Sequence, residues 1–176
     1  MNGSQTFETR VLPHLDAAYN LARWLLRDDH AAEDAVQNAL MRAMRYIASL
    51  RGDDARAWLM GIVRNTCFSA LEQMREGPQW VEFDEAAFDA GLNAVDGAPG
   101  DPAVQLQRLR TRRGVDAAIR ALSPPLREVI VLRELEGLDY AEIAAITGVP
   151  MGTVMSRLSR AREKLREALS PSRLDT

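Results

Sequence analysis

One cysteine, two histidines and a single lysine are all that the 176 residues contain of those types. Cys67 has no second cysteine with which to close a disulfide. With only His14 and His30 beside it, the chain offers too few nitrogen and sulfur ligands for a structural zinc site. No metal and no cofactor are expected. There is no glycine-rich phosphate loop and no nucleophile motif, so an enzyme is not expected either. His14 and His30 fall on different helices without a matching carboxylate pattern and read as surface or cap residues, and Cys67 reads as a small helix residue. No run of about 18 apolar residues occurs, and the N-terminus lacks the basic-then-apolar order of a signal peptide. Insertion into a membrane is not expected, and the expected location is the cytoplasm. No segment alternates as a strand does.

What the chain does have is a 47% hydrophobic share, enough for cores, and helical periodicity in most of its length. Its net charge is −3, which by itself argues against a nucleic-acid binder, because lysine and arginine neutralising phosphates supply most non-specific affinity. The distribution reverses that argument. Residues 1–79 carry 9 basic and 10 acidic groups, residues 80–100 carry none and 5, and residues 101–176 carry 13 and 10. Between positions 157 and 173, Arg157, Arg160, Arg162, Lys164, Arg166 and Arg173 face only Glu163 and Glu167, so positive charge gathers at one end. The excess of arginine over lysine is treated as genomic background.

Val11, Leu12, Leu15, Ala18, Tyr19, Ala22, Leu25 and Leu26 form one helical stripe of about five turns. Ala32, Ala35, Val36, Ala39, Leu40, Ala43 and Ile47 form a second, with Asp28 or Asp29 as its cap. A third, capped by Asp53 or Asp54, turns Ala55, Trp58, Leu59, Ile62, Val63 and Thr66 inward and stops at Gly77-Pro78. Residues 77–103 hold four glycines, three prolines and six acids with no base, which reads as an acidic flexible linker with apolar points at Trp80, Phe83 and Phe88. Beyond it the pattern predicts a helix over Leu106–Leu122 and a second opened by Ser123-Pro124-Pro125 and ended by Gly137. Asp139 and Glu142 then stand as a capping box for a short helix with Ile143 and Ile146 inward. Gly148 breaks it, and Pro150 starts a last helix with Val154, Leu158, Ala161 and Leu165 inward. The fold class is all-α: two small helical domains, residues 1–76 and 104–176, joined by the linker 77–103.

Between Asp139 and Leu165, a short helix, a tight glycine turn and a longer basic helix follow one another as in a helix-turn-helix. A helix about 10 to 12 Å across fits a major groove about 12 Å wide. With Val154, Leu158 and Ala161 inward, Thr153, Ser156, Arg157 and Arg160 are expected on the opposite face, and Arg162 and Lys164 add to the basic surface. Arginine bonds the guanine O6/N7 edge bidentately, and serine and threonine reach phosphates or bases.

The runs Leu122-Ser123-Pro124-Pro125-Leu126-Arg127-Glu128-Val129, Arg133 to Ala144, Gly148 to Val154 and Ser156 to Arg162 resemble region 4 of extracytoplasmic-function sigma factors. Ala32-Glu33-Asp34-Ala35-Val36-Gln37, Ala57-Trp58-Leu59 and Arg64-Asn65-Thr66 resemble region 2 of the same family, in the same order. The two halves cover about four fifths of the chain. The resemblance implies a sigma factor that directs bacterial RNA polymerase to promoters. Its first domain would hold the core polymerase and the minus 10 element, and its second would read the minus 35 element. On the second helix, Asp34, Gln37, Asn38, Met41, Arg42 and Arg45 lie away from the apolar stripe, where a helical part of the polymerase's largest subunit, with the neighbouring subunit, would pack. Arg64, Asn65 and Arg75 are the candidates for minus 10 contact, whereas Trp58 falls on the apolar stripe and reads as core. An anti-sigma factor is the further partner implied, and a monomer the expected free state.

Three departures from the family pattern point to weaker contacts. Asn38 stands where relatives often have an acid and Met155 where they often have lysine. Glu72, Glu76 and Gly77-Pro78-Gln79 replace a basic run. Two other classes compete. A sigma-like decoy that occupies an anti-sigma factor would show no DNA binding by the last helix. An ordinary helix-turn-helix repressor would dimerise and leave the first domain's motifs unexplained.

Overall fold

The computed structural model describes residues 3–76 and 101–170. The acidic segment 77–100 with Trp80, Phe83 and Phe88, the Gly77-Pro78 stop, and Arg173 lie outside the described residues. Among those described, all regular structure is helical.

The first group comprises α1 (Gly3–Arg10), α2 (Leu15–Leu26), α3 (Asp29–Tyr46) and α4 (Ala55–Glu76). The stripe read as one helix from Val11 to Leu26 is broken, because Pro13 sits in a 3-10 turn over Leu12–His14 and α2 starts only at Leu15. Proline has no N–H and its ring collides with the carbonyl four residues back, so the helix restarts after it. α1 has little apolar pattern and buries only Phe7, which is why periodicity did not announce it. Asp28 caps α3, its carboxylate accepting the Ala31 N–H at 2.7 Å, and Asp54 accepts the Ala57 N–H at 2.9 Å at the start of α4. The alanines Ala32, Ala35, Ala39 and Ala43 are buried, and their small side chains let α3 lie close to α2 and α4. Trp58 is half-buried against the core, as its stripe position required.

The second group is α5 (Pro102–Ala121), α6 (Pro124–Ile130), which runs on as a π-helical turn over Val131–Leu135, α7 (Tyr140–Thr147) and α8 (Met151–Ala168). α5 begins at Pro102 rather than Leu106, inside the span assigned to the linker. Asp101 caps it by accepting the Ala103 N–H at 3.0 Å, with proline in the first turn. Residues 102–113 are exposed throughout, so packing gave no period to read there. Ser123 opens α6 through its carbonyl, which accepts the Leu126 and Arg127 N–H groups. Its hydroxyl makes no cap, and Pro125 removes one donor that a cap would use. The Asp139–Glu142 capping box is formed in both directions, at 2.8 and 2.7 Å. Gly148, at φ +70°, closes α7 in the left-handed conformation that glycine adopts without penalty.

A single hydrophobic core runs through both groups. Within the second, Val129, Ile130, Val131, Leu132, Leu138 and Ile143 are buried, each stabilising by roughly 1.5 to 3 kcal/mol. Between the groups, α2 packs on α6 and α4 on α7. Arg127 of α6 crosses this seam. Its guanidinium donates to the Trp24 and Leu25 carbonyls at the end of α2, both at 3.0 Å, and to Leu122 O at 2.7 Å. A cation at a helix C-terminus meets the negative end of the helix dipole. Burial, then the neighbouring Arg27 and Arg120, lowers the Arg127 pKa to about 10, which leaves it charged at neutral pH.

Candidate nucleic-acid interface

The helix-turn-helix is built as its sequence demanded. α7 is fixed at one end by the capping box and at the other by Gly148, and α8 follows after Val149-Pro150. Val154, Leu158 and Ala161 are buried and Leu165 half-buried. Tyr140 steadies the start of α7 beneath Arg133, whose guanidinium lies 5.1 Å from the ring centre. No side chain caps α8, so its first turn, with Met151 and Gly152 exposed, presents a helix N-terminus to solvent.

Around α8 the exposed crest is Gly152, Met155, Ser156, Ser159, Arg160 and Glu163. Ser156 and Arg160 are where the sequence put them, and Arg162 and Lys164 are also exposed. Thr153 and Arg157 are not on the crest: both are half-buried. At about 100° per residue, position 157 lies only about 70° from the centre of the buried stripe, against about 170° for Ser156. Arg157 accordingly turns inward and donates to the Glu128 carboxylate at 3.3 Å. The same wheel arithmetic puts Ser159 about 130° from that centre, outside the base-facing set expected from the sequence. Arg162 pairs with Glu134 at 2.7 Å, a bond that raises its pKa further. A second basic surface went unmarked: Arg108, Arg110, Arg112 and Arg113 on the exposed half of α5.

On α4, Asn65 and Arg75 are exposed, but Arg64 is held. It donates to both Glu128 oxygens, at 2.8 and 3.2 Å, and to Asn65 Oδ1 at 3.3 Å, and stacks 3.9 Å over the Phe68 ring. Glu128 is fully buried. That burial raises its pKa, opposed by the hydrogen bond from Arg64 and by the charges of Arg64 and Arg157. One carboxylate thus collects an arginine from each group.

On α3, Asp34, Gln37, Asn38, Met41, Arg42 and Arg45 are all exposed on one face. Met41 is 64% exposed and Met44, which the sequence reading left out although it lies three residues further on, 57%. Among the described residues no group of three or more histidine, cysteine or acidic side chains could hold a metal, and no helix is long and apolar enough to cross a membrane. Cys67 is buried, and burial pushes its thiol up to about 12, so it is unreactive at neutral pH.

Residues 11–76 match the family model for sigma-70 region 2, and residues 112–165 that for sigma-70 region 4. The chain belongs to the extracytoplasmic-function sigma factors of the sigma-70 family. An RNA polymerase sigma-H factor of Pseudomonas aeruginosa is 34% identical over 171 residues, spanning 95% of this chain and 88% of its own. An ECF RNA polymerase sigma-E factor of Escherichia coli is 38% identical over 142 residues, 78% of this chain and 73% of its own. Among solved structures, the sigma factor RpoE of Bartonella quintana, crystallised with the anti-sigma factor NepR, superposes with a TM-score of 0.67 at 32% identity, covering 94% of this chain and 97% of that one. In this sigma factor, α2 to α4 therefore fall within the region 2 match, and the second half of α5 with α6, α7 and α8 as far as Leu165 within the region 4 match. It is a factor of promoter-directed transcription initiation, in a family of regulatory DNA-binding proteins rather than enzymes.

Proposed function

We propose that this sigma factor reads the minus 35 element with the crest of α8, engages the minus 10 region with α4, and docks on core RNA polymerase through the outward face of α3. The observation that carries the reading is the capped, glycine-turned helix-turn-helix that leaves Ser156 and Arg160 exposed on one side of α8, with Lys164 and Arg166 further along it. Arg160 is suited to a guanine edge and Ser156 to a base or phosphate, while the uncapped start of α8 suits a phosphate. Arg162, paired to Glu134, and half-buried Thr153 and Arg157 serve at the margin of this surface, Arg157 only after leaving Glu128. Asn65 and Arg75 supply the minus 10 contacts accessible at once, and Arg64 joins them once released. The exposed methionines Met41 and Met44 among charged neighbours suit a protein partner better than solvent. Promoter DNA, core polymerase and an anti-sigma factor are the partners, the site of action is the cytoplasm, and the free chain is a monomer.

The test is transcription in vitro from a pool of random-sequence promoters by bacterial core polymerase, with and without this protein. Protein-dependent transcripts sharing two spaced elements are expected. Arg160→Ala should relax base preference in the upstream element, worth roughly 1 to 3 kcal/mol, whereas Arg166→Ala should weaken all sequences alike. Binding to core without transcripts would replace this reading with that of a decoy for an anti-sigma factor.

A further inference from the structure

The first turns of α8 carry no exposed charge. From Met151 to Ser159 the one charged side chain is Arg157, and it is half-buried against the Glu128 carboxylate. The exposed positions are Met151, Gly152, Met155, Ser156 and Ser159, and the first exposed cation is Arg160. Met151 is 47% exposed and Met155 53%.

At about 100° per residue, Met155 and Arg160 stand about 140° apart, one at each edge of the outward arc of the helix. Between them lie Gly152, Ser156 and Ser159, until Glu163 brings a carboxylate into the middle of the arc. Small side chains in the middle let the helix backbone come close to base edges, and the two long ones then reach opposite sides of a groove. Beyond Met155 the flank opens into a shallow cavity of about 330 Å³, which Met155 and Ser159 share with Tyr140, Arg162, Glu163 and Arg166. Arg166 lies about 20° round from Met155 and three turns along, where it suits a phosphate. Two methionines one turn apart make an apolar edge far smaller than the roughly 800 Å² that each partner gives to a stable protein interface. That edge matches instead the apolar group that a major groove displays, the C5 methyl of thymine.

We infer that Met155 is a specificity-determining residue for the upstream element: its thioether packs on the C5 methyl of a thymine, with Arg160 taking a guanine about two base pairs away. The inference deepens the proposed reading of the minus 35 element by α8 and rests on it. A thioether is unbranched and polarisable and shapes itself to a methyl group, but this contact brings no hydrogen bond, so selection comes from the methyl alone. Burying one methyl group corresponds to about a fourfold preference.

The test uses holoenzyme formed from core polymerase and the full chain, on the promoter selected from the random-sequence pool. Deoxyuridine replaces each thymidine of the upstream element in turn, which removes the C5 methyl and leaves every hydrogen-bonding group in place. At one thymine, wild-type binding should fall about fourfold, and Met155→Leu should keep that ratio. Met155→Ala should bind the two DNAs equally, while Arg160→Ala keeps the ratio and loses preference at the guanine. Met155 lies outside the core, and alanine and leucine both favour the helix, so these variants fold. No loss at any thymine, or a ratio that survives in Met155→Ala, would overturn the inference. So would an alanine variant that binds core polymerase more weakly without DNA, which assigns the methionine to a protein contact. Failure of the proposed minus 35 reading shows differently: Arg160→Ala would then also leave every base preference of the upstream element unchanged.

Discussion

Replacing Arg127 with alanine removes a side chain that satisfies three carbonyls at once, Leu122 O in region 4 and Trp24 O and Leu25 O at the end of α2 in region 2. Arg127 is 4% exposed, so water does not reach these oxygens in the closed chain. A hydrogen bond from a charged donor contributes about 1.5 to 3 kcal/mol, and an acceptor left buried without one costs about 1 to 3 kcal/mol. Three such bonds set an upper range well above 4 kcal/mol, but the two α2 carbonyls can be hydrated if the seam parts, which limits the loss. Arg127 also pays for its own burial, as its lowered pKa shows. The net expectation is a loss of about 3 kcal/mol, a large part of the roughly 5 to 15 kcal/mol that holds a protein folded. In urea, with a slope of about 2 kcal/mol per molar, the midpoint followed by circular dichroism should fall by about 1.5 M. Arg162→Ala, which removes an exposed pair with Glu134, should move it by less than about 0.5 M under the same slope. An Arg127→Ala midpoint within 0.3 M or so of wild type would show that the carbonyls find other partners and that the arginine is not what joins α6 to α2.

Glu128 gives a pH signature. Burial raises its pKa above the ordinary 4.5 in the folded chain, so the folded state keeps the proton to higher pH than the unfolded state does. Its contribution to stability is therefore full below that ordinary value and is lost as pH rises through the raised one. Stability curves of wild type and Glu128→Gln should draw apart with the wild type falling as pH rises above 4.5, and a wild type that gains on the variant over that range would show that Arg64 and Arg157 outweigh the burial. Asp139→Ala should cost about 1 kcal/mol by removing one half of the capping box, and the loss should appear in thermal unfolding. Met41→Asp on the exposed face of α3 should leave that unfolding unchanged but weaken binding to core polymerase at least tenfold; unchanged binding would take α3 out of the docking surface.

Much of the fold was legible because it is written in short-range terms. The capping box at Asp139 and Glu142, the left-handed turn at Gly148, the Asp28 cap and the buried stripes of α3, α4 and α8 each depend on residues within one or two turns of one another, and all are present. Where the local signal is weak or contradicted, the structure departs from the pattern: Pro13 splits the first stripe, α1 carries little apolar pattern, and the exposed start of α5 has no packing to impose a period. The family, too, was carried by motifs that lie along the chain, and the two matched regions contain those motifs.

What the sequence by itself determined about this sigma factor is its helices, their caps and their inward faces, since a helix's period and its terminal hydrogen bonds are set by neighbours in the chain. Only the tertiary structure decided which polar residues those faces leave available. Arg64, Arg127 and Arg157 look alike in sequence, yet one is shared across the seam, one is buried under α2 and one is turned inward to Glu128. Their partners lie as far as 103 residues away, and a contact at that separation leaves no trace in local spacing. The charge of an arginine is written in the chain; whether it meets DNA, a carbonyl or a buried carboxylate is settled by what the fold brings beside it.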